Sequence, residues 1–303
     1  MKPWLKPRLI SLLDRASARL RPSYDLTWVP PGHFYSPLVD PADPQTGRVC
    51  RLFDTSELGG GEDLTLDEGA MLQTLLRIGA HYGKVPFPET KQDGVRYYYQ
   101  NPKYSYGDAV VLFCMMLDLR PKRLVEVGGG HSSCAAMDTS DRFLEGSVDF
   151  TFIEPFPSTL LSLLDPDDRY RECIVATPVQ QVPLETFARL EANDIFFVDS
   201  SHVTKMGSDV NDCFFRILPA LRPGVVIHFH DVFYPFEYPP DSIGKVQLSW
   251  NEAYLLHAFL QYNDRYQVIY FNHLVNRRFA GALKERMPLC LRNCGGSIWL
   301  RKL

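Results

Sequence analysis

The stretch Arg123-Leu-Val-Glu-Val-Gly-Gly-Gly-His-Ser-Ser133 decides how this chain is read. A short β-branched run carries an acid near its end, breaks into three glycines and leads into residues suited to the first turn of a helix. Glycine lets a backbone come close to a ligand, and Ser132 or Ser133 can cap the following helix, whose N–H groups then point into the same space. The stretch lacks the full G-x-G-x-x-G spacing of a dinucleotide site, since Ser133 stands three after Gly130. An acid at Glu126 would repel a pyrophosphate but suits a cationic ligand.

Similar apolar runs follow at DFTFIEP (149–155), CIVAT (173–177), DIFFVDS (194–200) and GVVIHFHD (224–231). Helical patterns separate them, including 108–119 and a segment with Val210, Cys213, Phe214, Ile217, Leu218 and Leu221, for which Ser208 or Asp209 is the expected cap. A helix near 250–261 and two further strands, RYQVIYF (265–271) and GGSIWLRK (295–302), complete the pattern. Strands alternating with helices predict an α/β fold with a doubly wound, Rossmann-like sheet. In such sheets ligands bind beyond the carboxyl ends of the strands. Those ends carry Glu126 with Gly128–Gly130, then Glu154, then Asp199 with Ser200 and His202, then His230 with Asp231. Four polar endings in succession predict one ligand site.

The first third differs in kind. Eleven of the 23 prolines fall before residue 103. Residues 1–21 carry six basic side chains, one acid and leucines at helical spacing, which predicts a basic amphipathic helix. Two readings stay open for it: docking on its own domain or on a sister subunit in a homo-oligomer, and lying on an anionic membrane surface. Six prolines between 22 and 44, with Trp28, Phe34 and Tyr35 among them, read as an extended strap. Thr65 and Glu68 have capping-box spacing for a helix running to about Tyr82, and five tyrosines between 97 and 106 either wall a pocket or seal a junction. The expected division is therefore 1–103 as helix, strap and lid, and 104–303 as the ligand-binding domain.

Composition narrows the functional classes. With 32 basic and 36 acidic residues the formal charge is −4, without the electrostatic footprint of a nucleic-acid binder. No apolar run is long enough for a transmembrane helix. The seven cysteines form no C-x-x-C pair, and the N-terminus lacks an h-region fit for secretion, so reduced cysteines in a cytoplasmic protein are expected.

Glu154 lies 28 residues after Glu126, where an acid can take both hydroxyls of a ribose. A ribose, a positive end and no phosphate describe S-adenosylmethionine. On VEVGGGHSS (125–133), FIEP (152–155), FFVDSSH (196–202), HFHDVFYPFEYP (228–239) and GGSIWLRK, the chain resembles the class I S-adenosylmethionine-dependent methyltransferases, in particular bacterial small-molecule and sugar O-methyltransferases. GHFYSP (32–37) and YSYGD (104–108) also resemble family features. The resemblance implies a seven-stranded sheet with an antiparallel last strand. It also implies a methionine end lined by Glu126, Gly128, Gly130 and Ser132, ribose on Glu154, adenine near Gln180 or Gln181, and cofactor contacts from Asp199 and Ser200.

Methyl transfer needs a positioned nucleophile and a group to take its proton. Relatives that use magnesium place an aspartate at the end of the fourth strand, a histidine three residues later as base, and an acidic pair at the end of the fifth. Asp199, His202 and Asp231 fit that pattern, while His230 stands where an acid is expected. The resemblance therefore implies His202 as general base, with Asp199, His230 and Asp231 orienting a hydroxylated small-molecule acceptor directly or through a divalent metal. Magnesium seldom takes imidazole, so a softer ion or none at all stays open. His228 is expected to face away from His230, packed and hydrogen-bonded. Trp250, Asn251 and Glu252 are expected to reach the acceptor pocket, with Trp250 equally able to pack in the core. Two other functions stay open: a nicotinamide-dependent oxidoreductase and a non-catalytic cofactor-binding subunit.

Overall fold

The structure, a computed structural model, describes residues 66–239 and 249–303 together with Val29, Ser36, Leu38 and Leu64. The predicted helix at 1–21, most of the strap and the lid segment before residue 64 lie outside the described residues, as do Thr65 and residues 240–248 of the late loop.

Seven strands form one sheet: β1 (Arg123–Val127), β2 (Asp149–Ile153), β3 (Ile174–Val175), β4 (Ile195–Val198), β5 (Val226–His230), β6 (Tyr266–Phe271) and β7 (Ser297–Lys302). Their order is β3-β2-β1-β4-β5-β7-β6. The first five run parallel, and β7 inserts antiparallel between β5 and β6. The doubly wound sheet and its antiparallel last strand are thus both present. All residues of β4 and β5 are buried, as expected of strands covered on both faces.

Helices cover the sheet. α1 (Glu68–Gly79) is capped by Asp67, whose carboxylate accepts from Ala70 N at 2.8 Å, and it ends at Gly79 rather than Tyr82. The capping residue is therefore Asp67 and not Thr65. α2 (Tyr106–Leu119) is apolar nearly all round and buries 13 of its 14 residues, which makes it a core element. α3 (His131–Phe143) follows the glycine turn, and α4 (Ser158–Leu163) and α5 (Glu185–Ala188) are short. α6 (Asp209–Asp212), capped by Ser208, continues through a π-helical turn (Cys213–Ile217) into α7 (Leu218–Ala220). α8 (Glu252–Gln261) and α9 (Asn272–Arg286) follow.

Val49–Leu303 packs as one compact unit. The boundary expected at residue 103 falls inside it, because Arg96 binds Asp138 and Asp168 and the tyrosine-rich segment fills the core. Tyr97, Tyr99, Tyr104 and Tyr106 are all buried; Tyr97, Tyr99 and Tyr106 seal a junction, while Tyr104 also lines a cavity. Cys114, Cys173 and Cys213 lie within apolar runs; Cys114 and Cys213 are buried free thiols, whereas Cys173 is only half-buried. Among the described residues no helix is long and apolar enough to cross a membrane.

Candidate active site

The sheet reverses its winding between β1 and β4, and the site opens there. The chain turns so tightly after β1 that Gly128, at φ +89°, has no room for a side chain: an added Cβ would stand 1.8 Å from the Asp199 carbonyl oxygen. Asp199 N donates to Val127 O at 2.8 Å, which fixes the ends of β1 and β4 side by side. Gly130 has open space where a side chain would be, and its N–H donates to Ser133 Oγ at 3.0 Å. Of the two serines offered as caps, Ser133 serves the helix.

Two cavities meet at this turn. One, of about 410 Å³, is lined by Gly128–Ser132, Glu154, Asp199, His202, His230, Asp231, Tyr104 and Trp250. The other, of about 480 Å³, lies towards Pro178, Val179 and Gln180 and shares Gly128, Glu154, Phe156, Asp199 and Ser200 with the first. The predicted residues Gly128, Gly130, Ser132, Glu154, Asp199, Ser200, His202, His230 and Asp231 are thus brought to one place.

Two predicted residues are not. Glu126 is 1% exposed and does not line either cavity. Its carboxylate accepts from Ser133 Oγ at 2.7 Å and from Ser132 Oγ, so it braces the glycine turn from beneath. Burial pushes its pKa up to about 8 against those hydrogen bonds. Gln181 is exposed on a 3-10 turn and away from the cavities; Gln180 lines the second one, although its amide is committed to Gly207 O. The 3-10 turn Val179–Gln181 that follows Pro178 buries only Val179.

The catalytic candidates form a network of histidines and carboxylates. His202 Nε2 lies 3.2 Å from Asp199 Oδ1 and 3.5 Å from Asp231 Oδ2, while Nδ1 lies 2.8 Å from Glu252 Oε2. His230 directs Nδ1 towards Asp199 (3.4 Å) and Asp231 (3.7 Å), and Nε2 towards Asp108 Oδ2 at 3.5 Å. Both His202 (φ +58°) and Asp231 (φ +56°) adopt left-handed backbone, where non-glycine residues are strained. Burial alone would depress the His202 pKa, but the carboxylates of Asp199 and Glu252 more than offset it and bring it up to about 10. Asp199 sits well below the usual carboxylate range: its burial is outweighed by His230 and His202. Burial pushes Asp231 up, opposed by the same two histidines.

His228 does not face away from His230. Residues two apart on a strand share a face, and the rings lie 6.0 Å apart at 19°. His228 stacks on Phe197 at 3.9 Å and meets the edge of Trp299, and neither of its ring nitrogens has a hydrogen-bond partner. Burial and its neighbour His230 hold its pKa well below the ordinary value, so it packs as a neutral aromatic ring.

Two participants were not singled out for these roles from the sequence. Asp108 was legible only as part of YSYGD, and Glu252 only as a residue near the acceptor pocket. Both are buried carboxylates paired with a histidine, a signal that exists only once distant segments meet.

Residues 125–232 match the family described as methyltransferase domain. An uncharacterized protein of Archaeoglobus fulgidus is 33% identical over 170 residues, covering 55% of this chain and 75% of that one. The 125–232 stretch of the chain is a methyltransferase domain. Among solved structures, a Podospora anserina methyltransferase bound to S-adenosylhomocysteine is 13% identical, with a TM-score of 0.41 and coverage of 86% of this chain and 97% of its own. An O-methyltransferase of Streptomyces achromogenes involved in tomaymycin synthesis is 16% identical, with a TM-score of 0.38 and coverage of 73% and 87%.

The methyltransferase site suits its cofactor. Gly130 leaves its Cβ position open beside the start of α3, and Glu154 lines both cavities where they join.

Proposed function

We propose that this methyltransferase transfers the methyl group to a hydroxyl oxygen of a small molecule, with sugars and glycosylated metabolites as the favoured acceptor class. The observation that supports this reading is the position of His202, 5% exposed, between Asp199 and Asp231 on the same cavity as the glycine turn. A cavity of mixed polar and apolar lining, with Tyr104 and Trp250 on its walls, suits a hydroxyl-rich acceptor with one apolar face.

Bound S-adenosylmethionine supplies an electrophilic methyl carbon on sulfur. The acceptor hydroxyl gives its proton to His202 Nε2 while its oxygen forms the new bond to carbon, and the S–CH3 electron pair returns to sulfur. The resulting imidazolium is held by Asp199, Asp231 and Glu252, all within 3.5 Å of a ring nitrogen. Those same carboxylates favour the protonated form of His202.

Asp199, His230 and Asp231 also fit a divalent cation. Each offers one donor atom, all within 4.8 Å of one another, and His230 Nδ1 is buried without a hydrogen-bond partner. An ion there would polarise the acceptor oxygen as a Lewis acid. An imidazole in the set favours manganese, iron, cobalt or zinc over magnesium.

The test uses purified protein, S-adenosylmethionine and a panel of sugars, glycosides and phenols, with mass spectrometry for the methylated product. Methyl transfer that survives His202→Ala would refute the base, and transfer only to nitrogen or carbon would refute the acceptor class.

A further inference from the structure

Glu252 is a fully buried carboxylate that stands behind His202, and the reaction as drawn gives it no contact with acceptor or cofactor. Its two oxygens divide their work. Oε2 meets His202 Nδ1 at 2.8 Å, and Oε1 accepts from Ser200 Oγ at 3.0 Å. The Ser200 hydroxyl oxygen in turn accepts from His202 N at 3.1 Å. Both backbone N–H groups at the start of α8, those of Asn251 and Glu252, donate to the His202 carbonyl, at 2.9 and 3.1 Å. The Asn251 side chain holds Thr204 N and O, and the Trp250 ring lies 4.4 Å from the imidazole. The beginning of α8 therefore grips His202 at its carbonyl and its ring nitrogen, with the Trp250 ring tilted beside the imidazole. This grip explains why a non-glycine residue stays at φ +58°.

A neutral imidazole carries its proton on one nitrogen only, and the hydrogen bond at one nitrogen decides the role of the other. A carboxylate can only accept. With Glu252 ionised at 2.8 Å, the proton belongs on Nδ1 and the lone pair on Nε2, the nitrogen that faces Asp199 and Asp231 across the cavity. The opposite tautomer would set two lone pairs against each other at Glu252 and leave Nε2 unable to take a proton from the acceptor. Glu252 is also in the first turn of α8, where the positive end of the helix favours a carboxylate.

We propose that Glu252 is the positioning residue of this site: it fixes the His202 tautomer and ring orientation so that Nε2 is the nitrogen presented to the acceptor. This rests on the reading of His202 as base. Glu252 does not take the transferred proton; it remains an acceptor of the Nδ1–H bond while the imidazolium forms and discharges.

The experiment uses the full chain labelled with 15N at histidine and saturated with S-adenosylhomocysteine, so no acceptor is needed. Long-range nitrogen–hydrogen correlations report which ring nitrogen is protonated, and the His202 signals are identified by their loss in His202→Ala. As pH is raised, the first proton to leave His202 is expected to come from Nε2, and the shift of an unprotonated nitrogen appears there. In Glu252→Gln, which keeps the shape but can donate, the Nε2–H form is expected to gain population, and Glu252→Asp restores the wild-type pattern. Loss of the Nδ1 proton first in the wild type overturns the proposal without recourse to any variant. An unchanged tautomer in a folded Glu252→Gln protein overturns it as well. Failure of the base reading is separate: it would show as methyl transfer surviving His202→Ala while the tautomer result stands.

Discussion

Asp108 Oδ2 lies 3.5 Å from His230 Nε2, and the same carboxylate accepts from Asn272 Nδ2 at 3.0 Å, Ser297 Oγ at 2.8 Å and Gly296 N at 3.2 Å. Four groups, from α9, β7 with the glycine before it, and the end of β5, thus converge on one side chain of α2. The carboxylate orients Nε2–H of His230 and leaves Nδ1 turned towards Asp199 and Asp231. Partners of this kind behind a ligating histidine commonly change metal affinity by about 10–100-fold when removed. Asp108→Asn is therefore expected to weaken manganese or cobalt binding by about that factor while S-adenosylhomocysteine still binds. Calorimetry with each ion checks it. In His230→Asp the preference is expected to move towards magnesium; equal magnesium affinity in wild type and variant would count against His230 as a ligand.

The glycine turn offers two substitutions with opposite outcomes. Gly128→Ala meets the Asp199 carbonyl at 1.8 Å at a positive φ, so the ends of β1 and β4 must part. A loss of more than about 2 kcal/mol in unfolding free energy is expected, together with cofactor binding. Gly130→Ala has extended backbone and open space, so it should melt near the wild-type temperature yet bind S-adenosylhomocysteine more weakly. Denaturant unfolding and calorimetry separate the two cases.

Glu126 gives the protein a pH dependence of unusual sign. Its pKa is raised from 4.5 to about 8 by burial, so between those values the folded state holds a proton that the unfolded state has released. Its contribution to stability is fully present below pH 4.5 and is lost as pH rises towards 8. By linkage the whole effect is at most about 5 kcal/mol, and relaxation around the site reduces it. Glu126→Gln keeps the hydrogen-bonding shape without the charge and is expected to flatten the fall in stability across this range. Urea titrations at pH 5 and 8 check this; a stability difference as large in the variant as in the wild type would disprove it.

Arg96 anchors the segment before the tyrosines. Its guanidinium binds Asp138 at 2.8 Å, Asp168 at 2.6 Å and Asp141 at 2.9 Å, with Asp138 and Asp168 almost wholly buried. Two further bonds run from Arg96 N and Tyr97 N to Asp138 Oδ2, each at 2.9 Å. Removing one partner of a buried charge set leaves the others uncompensated, at a cost of about 3–5 kcal/mol. Arg96→Met is expected to lose stability of that order, and Arg96→Met combined with Asp138→Asn and Asp168→Asn to recover part of it. Chemical denaturation of the series measures both values.

Much of the site could be read from strand ends, because short apolar runs and their abrupt polar endings are local signals. Glu154, Asp199, His202, His230 and Asp231 each stand within a few residues of a β-branched or aromatic run, and the structure gathers them around one cavity. Glu126 shows the limit of that reasoning. Its place at the end of β1 suggested a ligand contact, but the serines that begin α3 fold back over it and take both oxygens. His228 shows a different limit: strand periodicity places it on the His230 face, against the expectation of opposite faces, and only the packing of Phe197 and Trp299 reveals it as a ring in the core.

The sequence by itself determined the alternation of strands and helices, the glycine turn and the polar residues at the carboxyl ends of four strands, since each depends on neighbours a few residues apart. Only the tertiary structure decided which carboxylates stand behind the two histidines. Glu252 reaches His202 across 50 positions of chain, and Asp108 reaches His230 across the sheet because β7 enters antiparallel beside β5. No local pattern encodes those meetings. They arise where buried charges from distant segments must find partners once water is excluded.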